Sequence, residues 1–138
     1  TGNPSGFDLQ GRDEMTDAFK EIGETIKLID PTFKNELKTE VSLHSDNASF
    51  ALEGIPTLQI IGNLDPDVYK YYHSNKDNFD LVNKDHMKYT SAVLSIALYE
   101  LANLNDIDAK QLNSDQTRDF YENAGLKEKM IIGKEWKW

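Results

Sequence analysis

The longest helical pattern in the chain covers residues 84–104 and constrains the fold most strongly. Apolar side chains recur along it at helical spacing and form one broad stripe, made of Met87, Val93, Leu94, Ile96, Ala97, Leu98, Leu101 and Leu104. A stripe this wide is typical of a helix that packs on a sheet and is covered again by other elements. We therefore expect a layered domain in which this helix lies on a β-sheet.

Other segments supply the rest of that architecture. Residues 12–29 have apolar positions at helical spacing and predict a helix, whereas residues 39–43 alternate and predict a short strand. Residues 55–61 form a near-continuous apolar run, which is typical of an inner strand covered on both faces. Because helices and strands alternate along the chain, we predict an α/β fold. Because only two or three strands are visible, we expect a partial layered sheet flanked by helices.

Turn and cap residues set the expected boundaries of the shorter elements. We expect Ser45 or Asp46 to cap a short helix that Gly54 ends. Ser114 or Asp115 is expected to cap a final helix closed by Gly125, and the tail over residues 129–138 to form an edge strand. We expect one domain over residues 1–138, divided into an opening loop (1–11), a core (12–104) and a C-terminal extension (105–138).

Composition excludes several classes of function. The 138 residues carry a net charge of -9, which opposes binding to nucleic acid or to an anionic membrane surface. Membrane insertion is not expected, since no apolar run approaches the ~18 residues needed to span a bilayer. The chain has no cysteine, which removes disulfides, thiolate zinc sites and cysteine nucleophiles.

His73 is the candidate metal ligand. It lies in a polar, aromatic loop over residues 62–80. Asp77 is close enough in sequence to fold back, accept a hydrogen bond from the ring and fix the tautomer. One histidine cannot complete a catalytic zinc site, which normally has three protein ligands. Two plainer interpretations stay open: His73 is an ordinary loop residue, and Asp77 and Asp80 cap turns before the long helix.

Four segments in a fixed order carry a resemblance. Residues 45–50 read Ser-Asp-Asn-Ala-Ser-Phe, residues 54–56 read Gly-Ile-Pro, and residues 72–77 read Tyr-His-Ser-Asn-Lys-Asp. The helix over 86–103 follows and ends in Glu-Leu-Ala-Asn. Together they resemble the C-terminal part of the catalytic domain of the di-zinc aminopeptidase family, which includes bacterial leucine aminopeptidases, carboxypeptidase Q, glutamate carboxypeptidases and glutaminyl cyclases.

The resemblance implies a zinc-exopeptidase fold and hydrolysis of peptide substrates at a two-zinc site. His73 matches the last zinc ligand. The other ligands and the general-base Glu are implied to lie upstream, so we expect the chain alone to be inactive. Tyr72, Asn47 and Phe50 are candidates for the substrate wall, with Asp46 as a further pocket residue. Asn47 stands where the family usually has His.

A second class of function is a non-catalytic α/β module, or a divergent inactive relative, that binds a partner chain. A partial sheet leaves an unpaired strand edge and an apolar face, and both favour association. We therefore expect a homodimer formed through the exposed sheet edge near Ile60 and Ile61. The resemblance to the peptidases implies a secreted or periplasmic location.

Overall fold

The structure is a computed structural model that describes residues 2–138, and a three-stranded sheet lies at its centre. The middle strand is β1 (Asn3–Asp8). It pairs in parallel with β2 (Glu36–Lys38) on one side and antiparallel with β3 (Gln59–Asn63) on the other. The predicted α/β class, a small sheet flanked by helices, is confirmed.

Six α-helices occur among residues 2–138. They are α1 (Thr16–Ile29), α2 (Ala48–Ala51), α3 (Pro66–Tyr69), α4 (Lys84–Asn103), α5 (Ser114–Asn123) and α6 (Lys127–Ile132). The two long helices, α1 and α4, confirm the predictions from their apolar periodicity. Within this part of the chain, no helix combines the length and the apolar content that a membrane crossing requires.

The core lies where α1 and α4 meet each other and β1. The ring of Phe7 on β1 lies 5.1 Å from that of Phe19 on α1 and 6.2 Å from that of Phe33, measured between centroids. Val93 and Ala97 bring the inner face of α4 into the same cluster. Burial of each large apolar side chain contributes roughly 1.5–3 kcal/mol, so this cluster fixes β1 against both helices.

The opening segment differs from the prediction. A loop was expected over residues 1–11 because of its glycines and proline; Thr1 lies outside the described residues, and Asn3–Asp8 form the central strand. Gly6 explains the difference, since a Cβ there would come within 1.8 Å of the Glu36 carbonyl oxygen. The glycine is required by the close approach of β2, not by a turn.

Three further predictions about strands were wrong. The strand expected over residues 39–43 lies instead at β2, just before it. The segment predicted as an inner strand, 55–61, contributes to β3, which lies at the edge of the sheet and is half-buried. The tail expected as an edge strand over 129–138 begins inside α6, where the Met130 side chain is buried.

The short helix α2 begins without the predicted cap. Neither Ser45 nor Asp46 caps it; the N-cap position is Asn47, whose side chain makes no capping hydrogen bond. The backbone N–H of Ala48 donates instead to the carbonyl oxygen of Ser45, at 2.9 Å. Gly54 adopts the predicted left-handed conformation, with φ of 75°, so only the end of this segment was predicted correctly.

The helix α5 begins one residue earlier than predicted. Asn113, rather than Ser114 or Asp115, is its N-cap. The Asn113 side chain accepts from the N–H of Gln116, and the Gln116 side chain accepts from the N–H of Asn113, both at 3.0 Å. This reciprocal pair is a capping box. The closing residue Gly125 has φ of 71°, as predicted.

Candidate functional site

The connection from β3 to α4 carries His73 and is built from short capped turns. Asp65 caps α3 by accepting from the N–H of Asp67 at 2.8 Å, and Pro66 occupies the first helical position. Asn78 accepts from the N–H of Asp80 at 3.0 Å, and Asn83 caps α4. Each of these caps joins residues two or three positions apart, so the local sequence specifies the turns of this connection.

Lys70 fixes the end of α3. Its ammonium donates to the Asp67 carboxylate at 2.9 Å, and this hydrogen bond raises the pKa of Lys70 above its ordinary value. The same ammonium lies 5.2 Å from the centroid of the Tyr71 ring. These contacts of Lys70 are exposed to solvent and lie at the turn before His73.

His73 is exposed and lies in a conformation that few side chains adopt. Its φ is 60°, the left-handed region that glycine prefers. Its ring lies 3.9 Å from that of Tyr72, which in turn stacks on Tyr69 at 5.9 Å and 14°. A non-glycine residue held at positive φ is a feature that clusters at functional sites, and the stacked rings limit where the imidazole can point.

A cleft of about 480 Å³ opens beside this turn. Its polar side chains come from Asp65, Tyr72, Asp77, Asp80, Asn83 and His86. Its apolar lining is formed by Leu64, Val68, Leu81 and Val82. Tyr72 and Asp77 both line this cleft, whereas His73 lies against the Tyr72 ring at a tilt of 58° and is not among the lining residues.

Asp65 and His86 are among the polar residues of this cleft that carried no functional assignment from the sequence. Asp65 is a helix cap, and His86 lies in the first turn of α4. The signal that could have found His86 is the Asn83 cap, whose side chain accepts from the N–H of His86 at 3.0 Å. That bond fixes where α4 starts and therefore turns its first residues toward the preceding loop.

Asp77 does not hydrogen-bond to His73 anywhere in the described part of the chain. Its backbone N–H donates to the carbonyl oxygen of Ser74 at 3.1 Å, which closes the turn after His73. Asp77 also lines the cleft. The orienting role predicted for Asp77 therefore stays a prediction.

The other predicted pocket residues lie around α2. Asn47 donates through Nδ2 to Thr57 Oγ1 at 3.2 Å and accepts at Oδ1 from Gln59 Nε2 at 3.3 Å. Phe50 is 60% exposed, and Asp46 is exposed as well. None of the predicted residues near α2 lines the cleft beside His73, so the candidates form two groups.

These residues alone do not fit a complete zinc site. Across residues 2–138, no three His, Cys, Asp or Glu side chains are placed so that they could hold one metal ion. The exposed imidazole of His73 can supply one nitrogen ligand, whereas a catalytic zinc site uses three protein ligands and an open position. The described residues therefore cannot complete such a site on their own.

Comparison with known proteins gives one match. The family model for peptidase family M28 matches residues 5–97, which is 93 of the 138 residues. The match includes the segments at 45–50, 54–56 and 72–77, and it ends within α4. Neither the search of curated proteins nor the search of solved structures returned a match.

Proposed function

Because the chain belongs to peptidase family M28, we propose that it forms the C-terminal part of the catalytic domain of a zinc-dependent aminopeptidase. The observation that carries this proposal is the family match over residues 5–97, which contains His73 and the segments at 45–50, 54–56 and 72–77. Membership of this family supports a peptidase domain, and the family is zinc-dependent in general. Its members are often secreted, and we propose a secreted or periplasmic location here too.

We propose His73 as a ligand of one of two zinc ions. In support, its imidazole is exposed, and the Tyr72 ring at 3.9 Å restrains it. When bound in such a site, zinc supplies a nucleophile at neutral pH and polarises the scissile carbonyl. The task of this chain is to present one nitrogen at a fixed position, and Asp77, four residues on, is proposed to orient that ring in the assembled site.

We propose Tyr72, Asn47 and Phe50 as the wall that contacts a peptide substrate, with Asp46 beside them. Tyr72 is 54% exposed and Phe50 60% exposed, so both aromatic rings keep an exposed surface that can cover an apolar side chain. Asn47 holds its amide between Thr57 and Gln59. An amide in place of the family's usual histidine leaves position 47 of this wall without a titratable side chain.

We propose that residues 1–138 alone have no peptidase activity, because His73 by itself cannot complete a zinc site. The test compares the purified chain and its His73→Ala variant, both loaded with zinc, on an aminoacyl-anilide. Equal background rates are expected. The complete enzyme should hydrolyse the same compound and lose that activity with His73→Ala; an active complete enzyme that tolerates the substitution would overturn the assignment of His73.

A second candidate function is a non-catalytic module that binds a partner chain. It is favoured by the apolar side chains that α4 leaves exposed, among them Leu98 at 64% and Tyr99 at 68%, and by the edge position of β3. The proposed form is a homodimer through that sheet edge. Light scattering after size exclusion tests it: a dimer supports this candidate, and a monomer that binds no hydrophobic dye contradicts it.

A further inference from the structure

Residues 105–138 lie beyond the family match, and they hold one turn of the matched part. The turn is Glu53-Gly54, which leads from α2 to β3. Leu112 donates its backbone N–H to the Gly54 carbonyl oxygen at 2.9 Å, and Gln111 Nε2 donates to the Glu53 carbonyl oxygen at 2.9 Å. Lys137 Nζ pairs with the Glu53 carboxylate at 2.6 Å.

Arg12 is a buried residue that contacts both the Gly54 turn and the extension. Its side chain is 7% exposed, and its Nη2 donates to the Lys110 carbonyl oxygen at 2.6 Å. Its Nη1 points to the Gly54 carbonyl oxygen at 3.5 Å, and its Nε pairs with Glu14 at 2.6 Å. A buried guanidinium that lost these acceptors would be left unsatisfied, so Arg12 ties the Gly54 turn to the extension.

The turn and the extension fit without spare room. A Cβ on Gly54 would lie 2.2 Å from the Leu112 carbonyl oxygen and 2.8 Å from Thr117 Oγ1. Thr117 is itself 1% exposed, so it cannot move aside into solvent. The contact between the turn and the extension is therefore a packed interface rather than a loose apposition.

Asn47 holds together the two ends of the segment that contains the Gly54 turn, residues 47–59. The hydrogen bonds from Asn47 to Thr57 and Gln59 join the two ends of residues 47–59, while the extension holds the tip at Gly54. The segment carries Asn47 and Phe50, two of the proposed substrate contacts. Its position is thus determined at the base by its own side chains and at the tip by residues 110–112 and 137.

We infer that the C-terminal extension acts as a clamp that positions this part of the substrate wall, with Arg12 as the positioning residue between them. The inference rests on the proposed peptidase function, because it assigns the extension a role in that site. The geometry ascribes to residues 105–138 a specificity role in addition to their packing. Their removal or loosening should release the Asn47–Phe50 wall before it disturbs the core of α1, α4 and β1.

Amide hydrogen exchange on the purified chain tests the clamp without reference to activity. Arg12→Met keeps the buried stem and removes the donors, and Lys20→Ala, which removes an exposed pair with Asp17, is the matched control. We expect exchange within residues 50–59 to rise about tenfold or more in Arg12→Met, with residues 93–97 unchanged. A uniform rise across both segments, or no rise, overturns the inference.

A second variant covers the case in which Arg12→Met does not fold. Gln111→Ala combined with Lys137→Ala removes two exposed contacts to Glu53, so folding is preserved while exchange within 50–59 should still rise several-fold. In the complete enzyme, Arg12→Met and the double variant should each raise KM for peptides and leave kcat near its original value. If exchange within 50–59 rises in the variants but the complete enzyme has no peptidase activity, the proposed function is refuted and the clamp is not. If the complete enzyme is active but the variants change neither exchange nor KM, the clamp is refuted and the proposed function is not.

Discussion

Asn47 donates a hydrogen bond to the hydroxyl oxygen of Thr57 at 3.2 Å and so joins the start of α2 to the chain entering β3. The same amide accepts from Gln59 at 3.3 Å. Asn47 is therefore a structural residue of this segment as well as a proposed substrate contact. Substitutions there should affect stability even in the absence of any substrate.

Asn47→Ala should lower the free energy of unfolding by about 1 kcal/mol, because it removes two neutral, partly buried hydrogen bonds. Urea denaturation monitored by circular dichroism measures the change. Thr57→Val removes one of the same bonds from the other side. The double variant should therefore lose less than the sum of the two single variants; simple additivity would show that the bond contributes nothing.

Gly54 and Gly125 offer a matched pair of glycine substitutions. Both have positive φ, 75° and 71°, so alanine at either position adopts a strained backbone at a cost of about 1 kcal/mol. Only Gly54 also faces a clash, since its Cβ would meet the Leu112 carbonyl oxygen, whereas nothing lies within 4 Å of a Cβ on Gly125. Gly54→Ala should consequently destabilise the chain by at least about 2 kcal/mol more than Gly125→Ala, measured by urea denaturation.

His73 should show opposite effects on stability and function. Glycine relieves its φ of 60°, so His73→Gly should raise the free energy of unfolding by about 0.5 to 1 kcal/mol. The same change should abolish peptidase activity in the complete enzyme, because it removes the proposed ligand. Lys134→Gly is the control, since Lys134 is exposed at φ of 58°. Lys134→Gly should raise the free energy of unfolding by the same amount and keep full peptidase activity. Equal activity in the two variants would argue that His73 is an ordinary loop residue.

The parts of the fold that the sequence predicted are those decided by local periodicity and local caps. The helices α1 and α4 follow from apolar spacing, and Gly54 and Gly125 follow from their freedom at positive φ. The polar loop predicted over residues 62–80 does join β3 to α4 and carry His73, but the locally capped helix α3 forms within it. Each of these signals lies within a few residues of the structure it specifies.

The parts that could not be predicted depend on distant partners. Gly6 is typical of a loop until the Glu36 carbonyl beside it makes glycine a requirement of strand pairing. Met130 belongs to a segment that alternates like a strand, yet its burial favours a helix. At the site, the Asn47 bonds and the cleft beside Tyr72 join residues from separate turns, and nothing in their local spacing indicates which of them meet.

The hydrogen bond from the Tyr89 hydroxyl to the Asp30 carboxylate should make stability depend on pH at both ends of the scale. Hydrogen bonds from Thr32 and then from Tyr89 lower the pKa of Asp30, so its contribution is present above its ordinary pKa and is lost as pH falls through the lowered value. Burial, and then the bond to Asp30, raises the pKa of Tyr89 to about 12. That contribution is present below about pH 10 and is lost as pH rises through 12.

Tyr89→Phe keeps the ring and removes the hydroxyl, so it isolates this bond. The variant should be less stable than the original chain at neutral pH, with a difference that shrinks below about pH 4 and again between about pH 10 and 12. Urea denaturation at pH 3, 7 and 11 measures that difference. Tyr99→Phe removes an exposed phenol from the same helix and should change stability little at pH 7. A Tyr89→Phe difference that stays constant across the three pH values would mean that the bond to Asp30 does not connect α4 to the end of α1 in solution.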